Sequence, residues 1–257
     1  MKPKISLITA THRRPDLLYK CIKFAQKSTL KEYEHLIIGD NCPWAKQVCD
    51  LFNDDPRIKY FETPSPHVWN AGSIGKNIGI KNSLTNFIAY CDDDNIILPN
   101  HLEVIYNELS TGTLICRTLM HNIFLSSNEM GPGSIKNILK RKVNKDELGK
   151  STIHGNDMQA IGHIKEVVQS VGYWDPPQII KTDPTWTKAS HNEDGYLFRK
   201  LKRKYGSEFD KKLNVVTVVY YYHAGCDRNI HDSEYENGLL EDGLFVYPKF
   251  IEENFNG

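Results

Sequence analysis

Short apolar runs alternate with amphipathic segments through the first hundred residues, and this alternation restricts the fold more than any other feature of the chain. Each apolar run has the length of a buried strand, and the segments between them carry apolar residues at helical spacing. Pro15 suits the first turn of a helix whose apolar side includes Leu17, Leu18 and Ile22. The predicted strands are 5–10, 35–39, 57–61 and 87–91. One predicted helix begins at Pro15, and two further helices are predicted at 44–52 and 73–83. Strands that alternate with helices predict a parallel, doubly wound sheet.

Polar residues follow three of the predicted strands, at the edge where sheets of this kind bind ligands. They are Thr11, Asp40 and the three consecutive aspartates at 92–94. Adjacent carboxylates repel one another, so a folded protein rarely collects three of them without a cation or a proton. A strand that ends in Asp-x-Asp suits a hard divalent ion that is also held by phosphate oxygens, and a solvated acidic turn is the alternative.

The second half of the chain has a less regular pattern. Helices are predicted at 98–109, 164–171 and 192–205, and strands at 113–119, 158–161 and 213–222. A basic segment at 131–150 is expected to form a loop with a short helix. Because no stretch rich in proline or serine separates a second domain, we expect a single α/β domain.

Charge and cysteine usage exclude several classes of protein. The 32 acidic residues balance the 32 basic ones, which gives no electrostatic case for a nucleic-acid partner. No apolar run approaches the roughly 18 residues that cross a bilayer, and the first apolar run is too short for a signal sequence. The six cysteines are scattered without a Cys-x-x-Cys pair, as in proteins of a reducing compartment. The chain is therefore predicted to be cytoplasmic and to lack a transmembrane segment.

Five short motifs follow one another along the predicted elements. They are the strand and turn at 5–15, Ile-Gly-Asp-Asn at 38–41, Gly-Lys-Asn-Ile-Gly at 75–79, Tyr-Cys-Asp-Asp-Asp-Asn at 90–95 with Leu98 and Pro99, and Asn-Glu-Asp at 192–194 with Leu197 and Arg199. Together they resemble the inverting, family-2 type of GT-A glycosyltransferase, which includes the SpsA-like nucleotide-diphospho-sugar transferases. The chain departs from the family pattern at Gly39, at His12 and Arg13, and at Lys76, where an aspartate, Tyr-Asn and an arginine are usual.

The resemblance implies the fold and the role of each half of the chain. A GT-A fold has a Rossmann-like, mostly parallel central sheet flanked by helices, in a single domain whose mixed C-terminal half faces the acceptor. Residues 1–110 would then form the half that binds the nucleotide sugar. Residues 111–257 would form the half that binds the acceptor and carries the catalytic group.

The resemblance also assigns roles to individual residues by their places in the motifs. Asp194 would be the general base that takes the proton of the acceptor hydroxyl, and an ordinary acidic pair at a helix start is the alternative. Asp94 and His223 would hold Mn²⁺ or Mg²⁺ against the diphosphate. Trp174 and Glu193 would contact the acceptor, although core packing is the commoner role of a tryptophan. The residues implied to bind the nucleotide sugar are Ala10, Thr11, Arg14, Asp40, Lys76, Asp92 and Asp93.

The implied reaction is a metal-dependent, inverting transfer from a nucleoside-diphosphate sugar to a glycan, a lipid-linked sugar or a glycoprotein. A UDP-sugar is favoured because Asp40 would accept a hydrogen bond from a pyrimidine imide. One alternative is a nucleotidyltransferase, although residues 9–14 lack the glycines of a phosphate loop. Another is a nucleotide-sugar-binding protein without turnover. The basic run at 136–150 leaves a peripheral membrane contact open beside a solvated loop.

Overall fold

The first half of the chain forms four parallel strands with helices between them. The computed structural model describes residues 2–12, 14–40, 42, 44–64, 72–124, 152–153, 158–176, 180, 182, 193–222, 240–241 and 244–245. The strands are β1 (Ile5–Thr11), β2 (Tyr33–Gly39), β3 (Ile58–Glu62) and β4 (Phe87–Tyr90), and the helices are α1 (Pro15–Gln26), α2 (Ala45–Asp50) and α3 (Ser73–Asn82). The strands lie in the order β3-β2-β1-β4. Thr11 pairs with Gly39 and Ile8 with Tyr90, so β1, β2 and β4 all end at one edge of the sheet.

The second half extends the same sheet with strands of both directions. Its elements are β5 (Ile96–Ile97), α4 (His101–Leu109), β6 (Ile115–Phe124), β7 (Thr152–Ile153), β8 (Ile161–Ile164), α5 (Lys165–Gln169), α6 (Glu193–Tyr205) and β9 (Lys211–Tyr222), followed by a separate pair, β10 (Leu240–Glu241) and β11 (Leu244–Phe245). Strand β8 lies antiparallel between β4 and β6, and β9 runs parallel to β6. The prediction of a mostly parallel sheet with a mixed C-terminal half is confirmed. No helix in the described part of the chain is long and apolar enough to cross a membrane.

Helices cover both faces of the sheet, because the buried strands alternate their apolar side chains between two cores. Leu7 points to the face covered by α1, α2 and α4, and Ile8 points to the face covered by α3, α5 and α6. Residues of β1 and β2 are accordingly almost all buried. This three-layer arrangement explains why the first strands read as continuous apolar runs.

Two predicted elements of the second half differ from those observed. Residues 158–160, predicted as a strand, form a 3-10 turn, and the strand follows as β8. A glycine within β8 lets α4 approach closely: a Cβ on Gly162 would lie 2.0 Å from Cγ2 of Ile105. The helix predicted at 164–171 is the shorter α5, and the helix predicted at 98–109 begins at His101. Strand β5, at Ile96–Ile97, was not predicted, and it pairs with β9. Short apolar runs do not distinguish strand from helix. The segment at 131–150 lies outside the described residues.

Candidate active site

Residues at the ends of β1 and β4 form a hydrogen-bonded cluster at the edge of the sheet. Thr11 Oγ1 donates to Oδ2 of Asp93 over 2.6 Å. Arg14, just before α1, places its guanidinium between two carboxylates: Nη2 lies 2.5 Å from Oδ1 of Asp93, and Nη1 donates to Oδ2 of Asp94 over 2.9 Å. The cluster therefore joins three of the residues implied to bind the nucleotide sugar to one of the two implied metal ligands.

The cluster holds more negative charge than its single arginine neutralises. Burial raises the pKa of Asp93 to about 7, and nearby Asp94 adds to this while Arg14 opposes it. Burial likewise raises the pKa of Asp92 to about 6, against the attraction of Lys76. Such carboxylates are stabilised by an added cation, so the electrostatics fit a divalent metal.

Asp92 and Asp94 differ in how fully their carboxylates are engaged. Asp94 accepts a hydrogen bond from Nδ2 of Asn95 over 2.7 Å in addition to that from Arg14. The carboxylate of Asp92 makes no hydrogen bond or ion pair with the described residues. Within the described part of the chain, no three His, Cys, Asp or Glu side chains are gathered as a complete metal site. His223, the other implied ligand, lies outside the described residues.

Asp40 occupies the end of β2, next to Thr11. Its backbone N–H donates to the carbonyl of Thr11 over 2.8 Å, and its Oδ1 accepts from Oγ1 of Thr63 over 2.9 Å. A ring nitrogen of His12, Nδ1, lies 2.6 Å from the Asp40 carbonyl oxygen. These contacts fix the orientation of the carboxylate at the strand edge. Thr63 was not recognised from the sequence because the residues beside it carry no motif.

Helix α3 lies unusually close to β1 because two of its residues have no side chain. A Cβ on Gly75 would lie 2.9 Å from Cβ of Ala10, and one on Gly79 would lie 2.6 Å from Cγ2 of Ile8. Both distances are shorter than real Cβ contacts allow. Ala10 thus contributes to the site by its small size, and the close packing places Lys76 of α3 over the strand ends.

The ammonium of Lys76 is the centre of a second cluster, formed with the start of α6. Nζ lies 3.4 Å from Oδ1 of Asp194, 3.5 Å from Oε1 of Glu193 and 4.3 Å from the ring centroid of Trp174. The residue is only 5% exposed. A buried cation in contact with two carboxylates and an aromatic face is held by all three.

The two acids at the start of α6 have different surroundings. Asp194 is buried, and its Oδ2 accepts from the backbone N–H of Met158 over 3.4 Å while Oδ1 contacts Lys76. Burial raises the pKa of Glu193 to about 7, partly offset by Lys76 and increased by Asp194. Glu193 is therefore partly protonated near neutral pH.

Trp174 packs its ring against the ammonium of Lys76. Trp174 is 2% exposed, and its backbone N–H and carbonyl are both bonded to the side-chain amide of Asn77, over 3.0 and 2.9 Å. The ring packs edge-on against Tyr90, whose hydroxyl lies 2.7 Å from Nε2 of His163. A ring this deeply buried packs in the core and presents no face to an acceptor sugar. Asn77 was missed as a positioning residue, although its motif at 75–79 singles it out.

The two clusters contain every described residue that the sequence implicated, apart from Asp40 and Ala10 beside them. The strand-end cluster consists of Thr11, Arg14, Asp92, Asp93 and Asp94, and the lysine cluster consists of Lys76, Trp174, Glu193 and Asp194. They act on one another electrostatically, because Lys76 lowers and Asp194 raises the pKa of Asp92, and Asp92 in turn raises the pKa of Glu193. The arrangement brings a carboxylate that is able to accept a proton close to an acidic edge that is able to take a cation.

Comparison with solved structures shows which fold this is. The structure superposes with a TM-score of 0.60 on Staphylococcus aureus TarS in complex with UDP-GlcNAc, at 13% identity, covering 99% of this chain and 73% of that one. A mannosyltransferase from Pyrobaculum calidifontis, in complex with GDP-Man and Mn²⁺, gives 0.54 at 10% identity, with 96% and 68% coverage. The fold is therefore that of GT-A glycosyltransferases, as expected from the motifs.

Proteins that are similar to this chain in sequence are also named as glycosyltransferases. A GalNAc(5)-diNAcBac-PP-undecaprenol β-1,3-glucosyltransferase of Campylobacter jejuni is 33% identical over 113 residues, which are 43% of this chain and 36% of that protein. An uncharacterized glycosyltransferase of Bacillus subtilis, YwdF, is 28% identical over 113 residues, 44% of this chain and 40% of that protein. The similarity thus spans well under half of either relative. The family described as Glycosyl transferase family 2 matches residues 6–167, and since this is more than half of the chain, the protein belongs to that family.

Proposed function

We propose that the protein is a metal-dependent, inverting glycosyltransferase that uses a nucleoside-diphosphate sugar, with a UDP-sugar as donor. The observation that carries this proposal is the position of Asp194. It is a buried carboxylate, held by Lys76 and a backbone N–H, beside the acidic end of β4. A base on the acceptor side and a cation site on the donor side are the two elements that such a transfer needs.

The donor would bind across the ends of β1 and β2. Asp40 is oriented by Thr63 and the backbone of Thr11 to accept from the base, and the small side chain of Ala10 lets α3 pack close to β1. Asp93, fixed by Thr11 and Arg14, would meet the ribose side. Support for UDP comes from the UDP-GlcNAc complex of TarS, which has the same fold.

A divalent ion, Mn²⁺ or Mg²⁺, would be held by Asp94 with Asp92, whose carboxylates are hard oxygen ligands in a site with excess negative charge. When bound, the ion would neutralise the diphosphate leaving group. The protein's own residues would accept the proton and position the reacting groups. Asp194 would accept the proton of the acceptor hydroxyl as that oxygen attacks the anomeric carbon from the face opposite the diphosphate, which inverts the configuration. Lys76 and Trp174 would keep Asp194 in place.

The proposal includes a division of the chain into a nucleotide-sugar half at 1–110 and an acceptor half at 111–257, and the positions of the two clusters support it. The strand-end cluster belongs to the first half, and the acids of α6 belong to the second. A glycan or a lipid-linked sugar is proposed as acceptor, and the lipid-linked acceptor in the name of the Campylobacter relative supports this choice.

Calorimetric titration of the purified protein tests the donor site. UDP, GDP and CMP would each be titrated with Mn²⁺ and with EDTA, for the wild type and for Asp94→Ala. We expect UDP to bind most tightly, in a Mn²⁺-dependent manner, and Asp94→Ala to lose most of the dependence on Mn²⁺. An absence of nucleotide binding under every condition would refute the proposal.

A further inference from the structure

A chain of buried hydrogen bonds connects the lysine cluster to the central sheet. The indole N–H of Trp174 donates to the hydroxyl of Tyr90 over 3.4 Å. That hydroxyl lies 2.7 Å from Nε2 of His163, and Nδ1 of the same imidazole lies 2.8 Å from the carbonyl oxygen of Ile164. All three side chains are buried, and they join Trp174 to β4 and to β8.

The direction of each hydrogen bond in this chain is determined by its last acceptor. A carbonyl oxygen can only accept, so Nδ1 of His163 carries a proton and donates to Ile164. Burial lowers the pKa of His163 to about 4, so the imidazole is neutral and its Nε2 has no proton. Nε2 therefore accepts from the hydroxyl of Tyr90, whose oxygen accepts from the indole of Trp174. Removal of either inner member leaves buried polar atoms unsatisfied, which costs free energy.

Trp174 is also held firmly at its backbone. Asn77, which follows Lys76 in α3, bonds both the N–H and the carbonyl of Trp174. The residue before it, Tyr173, has a φ of 68°, in the left-handed region that bulky residues rarely adopt, and its carbonyl accepts from Nζ of Lys200 over 2.6 Å. Strained conformations of this kind persist where surrounding contacts impose them. The backbone and the ring of Trp174 are thus fixed by separate sets of contacts.

The indole ring in turn determines where the ammonium of Lys76 lies. Nζ is 4.3 Å from the ring centroid and 3.4 Å from Oδ1 of Asp194. Because an ammonium is attracted to the face of an indole, a rotation of the ring displaces Lys76 and the carboxylate that it contacts. Tyr90 packs edge-on against the same ring, with 5.8 Å between the centroids and 77° between the planes. The hydrogen bond and the edge contact of Tyr90 both oppose this rotation.

We propose that Tyr90 and His163 are positioning residues for the general base. They fix the indole of Trp174, the indole fixes the ammonium of Lys76, and the ammonium fixes the carboxylate of Asp194. The inference rests on the proposed function, because it takes Asp194 as the base. Tyr90 and His163 are each 1% exposed, so they act through Trp174 and not by contact with a substrate. Strand β4 carries Tyr90 and ends at the strand-end cluster, so one strand supports both the cation side and the base side of the reaction.

Nuclear magnetic resonance of the substrate-free protein tests this chain. Tyr90→Phe keeps the ring and removes the hydroxyl. Tyr33→Phe is the matched control, since its buried hydroxyl donates to a backbone carbonyl of α1 and it lies at the opposite end of the sheet. The two reporters are the indole N–H of Trp174, assigned with Trp174→Phe, and the backbone N–H of Met158, which donates to the base.

The expected result is a change at both reporters in Tyr90→Phe only. The indole proton of Trp174 should move upfield, because it loses its acceptor, and the amide proton of Met158 should move because the carboxylate of the base is displaced. Tyr33→Phe should move neither resonance. If either reporter is unchanged in Tyr90→Phe, the inference is wrong. This comparison needs no substrate, so it decides the inference whichever sugar the donor carries.

Release of UDP from UDP-GlcNAc with Mn²⁺ tests whether the effect passes through the base. We expect Tyr90→Phe to lower kcat about tenfold, since small displacements of a catalytic group are costly in rate, and to change the KM for UDP-GlcNAc less than about twofold. Tyr33→Phe should change both by less than about twofold. In Asp194→Asn, where no base is left to position, Tyr90→Phe should change the residual rate by less than about twofold. Equal losses in the two backgrounds would mean that Tyr90 acts on the structure as a whole, which contradicts the inference.

A second pair of variants serves if Tyr90→Phe folds poorly. His163→Gln retains an acceptor for the hydroxyl of Tyr90, whereas His163→Leu does not. His163→Gln should therefore keep the higher kcat, and equal values would contradict the chain. The two proposals fail in different ways. If Asp194→Asn releases UDP at the wild-type rate, the base assignment of the proposed function is wrong and this inference fails with it. If Asp194→Asn is inactive and Tyr90→Phe behaves like Tyr33→Phe, only this inference fails.

Discussion

Nζ of Lys76 lies 3.4 Å from Oδ1 of Asp194, across 118 residues of sequence, and this contact joins α3 to the start of α6. The same ammonium is 3.5 Å from Glu193. One buried cation thus serves two carboxylates, so the lysine cluster has a net negative charge and depends on Lys76 for its stability.

Replacing Lys76 by methionine should therefore destabilise the protein as well as inactivate it. Removal of one partner from a buried ion pair typically costs about 3–5 kcal/mol, because the other charge is left without compensation. We expect urea unfolding to show a loss of this order for Lys76→Met. Lys81→Met, at an exposed position of the same helix, is the control.

A second substitution shows whether charge is the cause. Glu193→Gln removes one of the two carboxylates that face Lys76, so it should restore part of the stability of Lys76→Met. Strictly additive effects of the two substitutions would mean that the packing of the lysine stem, and not its charge, stabilises the cluster.

Asp194→Asn should abolish most sugar transfer while leaving donor binding intact. The amide keeps the size of the carboxylate but cannot take a proton, and positioned general bases contribute about 10²–10⁴-fold to rate. The measurement is kcat with the UDP-sugar that the protein turns over, beside the Kd for UDP with Mn²⁺. Glu193→Gln is the matched control, since a partly protonated glutamate is well imitated by glutamine. A kcat for Asp194→Asn close to that of wild type would exclude Asp194 as the base.

The raised pKa of Glu193 predicts that the difference in stability between Glu193→Gln and wild type depends on pH. Its pKa is raised from 4.5 to about 7 on folding, so between these values the folded protein binds more protons than the unfolded chain. The free energy of unfolding contributed by this group is then highest below pH 4.5 and falls as pH rises to about 7. Glu193→Gln lacks this loss, so its stability relative to wild type should rise between pH 5 and pH 8, by about 1–3 kcal/mol.

Urea unfolding of wild type and Glu193→Gln at several pH values measures this difference. The comparison cancels the contributions of titrating groups that do not interact with Glu193. Glu166→Gln, at an exposed position of α5, is the control. A difference between Glu193→Gln and wild type that stays constant over this pH range would contradict the raised pKa.

The strand-end cluster was predictable from sequence, because it depends on local pattern. Apolar runs at 5–10 and 87–91 identify β1 and β4, and parallel pairing brings the residues after them to one edge. Thr11 and Asp93 therefore meet even though 82 residues separate them. The motif at 5–15 also placed Arg14 in the same cluster.

The lysine cluster was not predictable in the same way. The resemblance implied that Lys76 would bind the nucleotide sugar and that Trp174 would contact the acceptor. The structure places Lys76 against the acids of α6 and Trp174 against Lys76. This contact depends on where α6 packs relative to α3, and no periodicity in either helix encodes it. The course of the chain at 158–164, where a turn precedes β8, was also misjudged, and the backbone N–H of Met158 that reaches Asp194 belongs to that turn.

The close approach of α3 to β1 gives the most direct test of how the fold positions Lys76. In Gly75→Ala the new methyl group would lie 2.9 Å from Cβ of Ala10, and that atom is bonded to the backbone of β1 and cannot rotate away. Helix α3 must then move outward, taking Lys76 with it. We expect a loss of about 1–3 kcal/mol in the free energy of unfolding, as for other overpacked sites, together with a larger relative loss of sugar transfer. Ala10→Gly removes the opposing methyl, so the double variant should regain both stability and transfer. Recovery of stability without recovery of transfer would show that Ala10 itself contacts the donor. No recovery of either would mean that the helix is held away from the strand by some other contact.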